Sequence, residues 1–198
     1  MAIAKRALKP EFLSLTIAFF LFSFGGLLPL LYVTEIAVSG GMPIEISQYL
    51  VCILNAGGFL GRICSGILGS LIGMFNVSVI LTLLCSLIVL VVWILGTGTA
   101  GAVVFAVLFG FAFNFVVAAV PVLVSQVSEF QELGLRVGVV WGTSSIGAIA
   151  GIPIGSSLIR GDEYVRMKVF AGVLIVGAAF FFALSRYFVG GGAVLKKV

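Results

Sequence analysis

Residues 63–128 contain no charged side chain. A single helix of those 66 residues would be about 100 Å long at about 1.5 Å per residue. The hydrocarbon core of a bilayer is only about 30 Å thick, so the segment must fold back on itself. Its breaks are Gly73-Met74-Phe75-Asn76 and Gly96-Thr97-Gly98-Thr99-Ala100-Gly101, where glycine and small polar residues interrupt the apolar run. The composition agrees. Apolar residues make up 62% of the chain and charged residues 9%, against roughly half and roughly a quarter in soluble domains. With 11 basic and 7 acidic side chains, the chain cannot clothe a globule of its size in polar groups. A water-soluble enzyme, a disordered chain and a nucleic-acid binder are excluded; the class is a polytopic membrane protein.

The other charges delimit the remaining spans. A crossing helix needs about 20 mostly apolar residues. Six runs qualify, at about 12–34, 47–69, 77–96, 100–125, 135–159 and 169–189, and together they predict a single all-α six-helix bundle over residues 1–198. The first is too long for a signal-peptide core and is expected to be retained. The runs are continuous rather than alternating, which excludes the strands of a membrane β-barrel. With six spans both termini share a side. Lys5, Arg6, Lys9, Arg62, Arg136, Arg186, Lys196 and Lys197 fall on that side, and Arg160, Arg166 and Lys168 on the other. The bias of basic residues toward the cytoplasm therefore places both termini there. The spans do not distinguish the plasma membrane from an internal one such as the vacuolar membrane.

The chemistry available is narrow. There is no histidine, so His-based catalysis and His metal sites are absent, and neither a metal nor another cofactor is expected. The cysteines Cys52, Cys64 and Cys85 match no zinc spacing and read as small buried apolar residues. No span carries an aspartate or a pair of acids, so no catalytic residue is assigned and the chain does not read as an enzyme. Arg62 is the most informative side chain. It lies about two thirds of the way along the second span, where a charge is costly. It either faces a cavity or partner, or extends to the cytoplasmic headgroups. No acidic residue shares its depth, so an anionic partner would be a substrate or another chain. Asn55, Asn114, Gln126, Thr143, Ser144 and Ser145 are the other polar candidates, for substrate contact or for bonds between helices.

Small residues recur at helical spacing. Gly147, Gly151 and Gly155 repeat every four residues, as do Gly57 and Gly61. Such stripes let helix backbones approach closely, either as fixed packing or as faces that slide during a transport cycle. Pro121 and Pro153 interrupt the fourth and fifth spans, and Pro29 sits near the outer end of the first. Each frees a carbonyl and bends its helix, a feature of transporters that bind substrate at broken helices.

Three stretches together resemble the C-terminal half of a fungal monocarboxylate-transporter-like member of the major facilitator superfamily. They are Ile53-Leu54-Asn55-Ala56-Gly57-Gly58-Phe59-Leu60-Gly61-Arg62, Gly134-Leu135-Arg136-Val137-Gly138, and Gly147-Ala148-Ile149-Ala150-Gly151-Ile152-Pro153-Ile154-Gly155. Tyr164 and Phe170-Ala171-Gly172 also fit, and the similarity runs from about residue 9 to residue 186. The resemblance implies that the six spans are helices seven to twelve of a transporter working by alternating access. It implies a small, possibly anionic substrate such as a monocarboxylate. Arg62, Asn55 and Asn114 would be its contacts. Gly57, Gly61, Gly147, Gly151, Pro153, Gly155 and Arg136 would serve packing or gating. Two positions depart from the pattern. Animal members carry an aspartate where this chain has Gly58, and the charged loop after the family's helix eight is matched by the uncharged Gly69-Ser70-Leu71-Ile72-Gly73-Met74-Phe75-Asn76. One six-helix half cannot alternate access alone. The expected partners are therefore the lipid bilayer, the substrate, and an N-terminal six-helix half or a second copy. The alternative is a half-size or truncated product without transport activity.

Overall fold

A computed structural model of the chain describes residues 9–96, 98–161 and 163–190. Six helices dominate it: α1 (Pro10–Ser39), α2 (Ile44–Ile72), α3 (Met74–Leu95), α4 (Gly98–Gln126), α5 (Phe130–Ser157) and α6 (Val165–Gly190). All six are long and apolar enough to cross a membrane. Among the described residues the only extended pairing is an isolated bridge between Arg160 and Glu163. Pro10 opens α1, where its missing N–H has no helical partner to lose. A single residue, Gly73, turns the chain from α2 into α3 at φ 97°, a backbone angle that side-chain-bearing residues rarely tolerate. Within α3, residues Ile88–Val92 form a π turn immediately before Trp93.

The short connections make successive helices antiparallel. The start of α1 and the end of α6 therefore share one end of the bundle, here the terminus end. α1 packs along α6 and α5, α2 lies along α4, and α3 bridges α4 and α6. Rings fill the centre: Phe22, Phe105, Phe109, Phe115 and Phe182 are fully buried. The outside is as apolar as the inside. Ile149 is 70% exposed, Leu71 65% and Phe180 63%, a surface suited to lipid tails and not to water. Lipid offers no hydrophobic drive for helix association, so close packing and hydrogen bonds must supply it.

Two expectations require correction. Cys52 is exposed, whereas Cys64 is half-buried and Cys85 buried; α2 buries a stripe that includes Leu50, Leu54, Gly57, Gly58, Gly61, Ser65 and Gly69, and Cys52 lies off it. The sixth helix starts before Lys168 rather than after it. α6 begins at Val165, so Lys168 lies within its first turn and is 9% exposed. The basic residues Lys5, Arg6, Lys196 and Lys197 used for orientation lie outside the described residues.

Candidate functional site

The α2–α4 seam is built from glycine on both sides. A Cβ added to Gly57 would fall 2.6 Å from the carbonyl oxygen of Val107, and one on Gly61 2.2 Å from that of Phe111. In return, a Cβ on Gly110 would fall 2.1 Å from the carbonyl oxygen of Leu54. The backbones therefore touch, and no larger residue fits. This closeness carries Asn114 of α4 across the seam. Its amide fills the space over Gly58, 2.3 Å from where a Cβ would stand. The space a side chain at position 58 would take is thus occupied by an amide from the facing helix.

Arg62 lies four residues beyond Gly58, one turn along α2. Its Nη2 donates to Oδ1 of Asn114 at 2.7 Å, and Nδ2 of Asn114 donates to the carbonyl of Gly110 at 3.1 Å. Asn114 is 6% exposed while Arg62 is exposed. The amide holds one edge of the guanidinium, but a neutral acceptor leaves its charge uncompensated. A guanidinium presents five donors in a planar fork, suited to a carboxylate. Asn55, two turns before Arg62 on the same face, is exposed and donates to its own helix at the carbonyl of Val51, 2.8 Å away. The structure thus joins Arg62 to Asn114, and leaves Asn55 bonded within α2.

The remaining candidates are built into packing. Gly147 and Gly151 of α5 would place a Cβ 2.8 and 2.5 Å from the carbonyl oxygens of Phe20 and Phe24 on α1, and Gly155 would meet the Leu28 side chain at 2.3 Å. Pro153 lies inside α5 on its exposed side. Arg136 is buried at the terminus end. It pairs with Glu132 at 3.0 Å, donates to the carbonyl of Val127 at 2.8 Å and lies over the Phe12 ring, 4.9 Å from its centroid. It ties the start of α5 to α4 and α1. The uncharged turn after α2 acquires a charge from elsewhere, because Nε of Arg186 on α6 donates to Oδ1 of Asn76.

Sequence reasoning missed a second constellation at the end opposite the termini. There Nζ of Lys168 donates to the carbonyl of Trp93 at 2.7 Å and sits 5.4 Å from the Trp93 ring centroid. Tyr164 donates to a carboxylate oxygen of Glu35 at 3.0 Å. A cavity of about 360 Å³ lies between the ends of α1, α3, α4 and α6. Its sequence signal was the closeness of Tyr164 and Lys168, which the start of α6 brings together, the Lys168 N–H donating to the carbonyl of Tyr164 at 3.0 Å. Among the described residues, no three His, Cys, Asp or Glu side chains gather where they could hold a metal ion.

A bundle of six helices, each long and apolar enough to cross a membrane, defines an integral multi-pass membrane protein. No family model matches the chain. Among curated proteins, it is 33% identical over 189 residues to the MFS transporter asaE of Aspergillus flavus, covering 94% of this chain and 42% of that one. It is 33% identical over 201 residues to MFS-type transporter 1 of an Ophiocordyceps species, covering 98% of this chain and 45% of that one. Against the Fujikurins efflux protein of Gibberella fujikuroi it is 34% identical over 175 residues, covering 86% of this chain and 38% of the relative. The chain is a homologue of the fungal MFS-type transporters, and it spans about half the length of the relatives it matches.

Proposed function

We propose that the chain is the C-terminal six-helix half of a transporter that moves a small organic molecule across a membrane by alternating access. Arg62 is its substrate contact, and both termini are cytoplasmic. The observation that carries this reading is the Arg62–Asn114 pair. An exposed guanidinium, steadied on one edge by a buried amide, is a preorganised receptor for an anion, because its orientation is fixed before the ligand arrives. A monocarboxylate-type substrate suits that fork. Two relatives bear the names Fujikurins efflux protein and Agnestins efflux protein AgnL12, which supports export of small organic products as the direction of transport. The basic residues placed on the terminus side support the orientation, and the membrane is the plasma or the vacuolar membrane.

A second reading is a half-size protein that works through assembly with another half or with itself, or that carries no transport. The exposed outer faces of α2 and α5, with Phe59 63% and Ile146 64% exposed, favour it. One experiment addresses both readings. The chain is expressed in yeast alone and together with a separate N-terminal six-helix half, and movement of radiolabelled lactate and pyruvate is followed. Transport is expected only with both halves. Arg62→Lys should weaken it and Arg62→Ala should abolish it. Unchanged transport in both variants would remove Arg62 from the substrate path, and absence of transport with any half would favour the second reading.

A further inference from the structure

We propose that the cavity at the end of the bundle opposite the termini is a binding site for a small organic carboxylate, held by the Lys168 ammonium. The proposal is independent of the transport reading, because the cavity lies at the other end of the bundle from the terminus-side half of α2 that carries Arg62. Its first support is the state of Lys168. The side chain is 9% exposed, and an ammonium withdrawn from water must be paired or serve a function. Its partners are a neutral carbonyl and the face of an indole, both from Trp93. An ammonium has three donors, and among the described residues one of them is used. Among the described residues no carboxylate forms an ion pair with it. Glu35 is engaged by the Tyr164 hydroxyl, and Glu163, which also lines the cavity, is exposed, where solvent screens its charge.

The second support is the space beside that ammonium. A volume of about 360 Å³ lies within the range of small-molecule sites, roughly 300–1,000 Å³. Trp93 and Phe105 both line it, and their rings stack with centroids 5.0 Å apart and planes 6° from parallel. Val33 and Ala102 add further apolar wall. A buried cation beside stacked rings selects an anion with a flat or apolar body. A carboxylate would take the unused donors, and its ring or chain would lie along Trp93 and Phe105. A bare inorganic anion would leave the apolar wall uncovered.

Trp93 reports on the site directly. The chain has two tryptophans, and the other, Trp141, is 42% exposed on α5. A Trp141→Phe variant therefore isolates the Trp93 emission. Titrating that protein in nanodiscs with benzoate should shift or quench the emission saturably, with Kd roughly millimolar or tighter. Lys168→Gln should weaken binding by about tenfold or more, the loss expected for a charged hydrogen bond, and Lys168→Arg should retain part of it. Ala102→Leu, which keeps the ammonium and fills the cavity, should also weaken binding and covers the case in which Lys168→Gln fails to fold. Inorganic phosphate should bind far more weakly than benzoate. No saturable change, parental affinity in Lys168→Gln or in Ala102→Leu, or phosphate binding equal to benzoate would overturn the proposal.

Discussion

The two glycine seams look alike in sequence and differ in construction. Between α2 and α4 the glycines are reciprocal. Gly57 and Gly61 admit the backbone of α4, Gly110 admits the backbone of α2, and a hydrogen bond from Arg62 to Asn114 crosses the same seam. Between α5 and α1 the glycines are on α5 only, and one of the three faces a leucine side chain rather than backbone. Among the described residues, the bonded hydroxyls of α5 pair within their own helix rather than across that stripe. Ser144, one turn before Gly147, is 3% exposed and its hydroxyl finds no partner. The same four-residue spacing thus yields one seam closed by reciprocal backbone contact and a polar bond, and another closed by glycines from one side and tied to α1 at its terminus end by Arg136 over the Phe12 ring. The first is suited to stay fixed, and the second to permit adjustment of α5 against the bundle.

The contrast can be tested by substitution, followed by unfolding of the reconstituted protein. Gly110→Ala should cost most, about 3 kcal/mol, because the new methyl group would have to displace buried backbone that cannot rotate away. A cost no larger than that of the α5 variants would erase the distinction between the seams. Gly155→Ala should cost about 1 kcal/mol, since the Leu28 methyl groups can move where a carbonyl cannot. Ser144→Ala should be smallest and opposite in sign, a gain of about 0.5 kcal/mol, because it removes a buried hydroxyl that no group satisfies. A loss instead would indicate that Ser144 is engaged in another state of the bundle.

Much of the architecture was legible in the chain. Long apolar runs, broken by glycine-rich turns, point to helices, since backbone groups in lipid must be satisfied internally and these runs lack the alternation of barrel strands. The glycine stripes were equally plain. Their partners were not, because spacing describes one helix face and says nothing of which neighbour it meets. Arg62 and Asn114 are 52 positions apart, and only the closeness of α2 to α4 joins them. The start of the sixth helix was placed too late because hydropathy alone puts a helix boundary at the first charge, Lys168. Here a lysine's apolar stem lets the first turn of α6 begin earlier, and its head finds a carbonyl and an indole to rest on.

The ring stack begun by Trp93 and Phe105 continues through Phe109 and Phe113, with centroid separations of 5.3 and 5.4 Å, and ends on Phe22 of α1 at 5.2 Å. Three of these rings succeed one another at four-residue intervals on α4. Flexing the helix anywhere along that stretch would have to unstack them, so it behaves as a stiff rod. Pro121 lies two turns beyond the last of them, inside the same helix, and lacks the N–H that would brace the preceding turn. The point of least backbone support in α4 thus lies on the terminus side of Asn114, and the Arg62 anchor sits beside the stacked stretch.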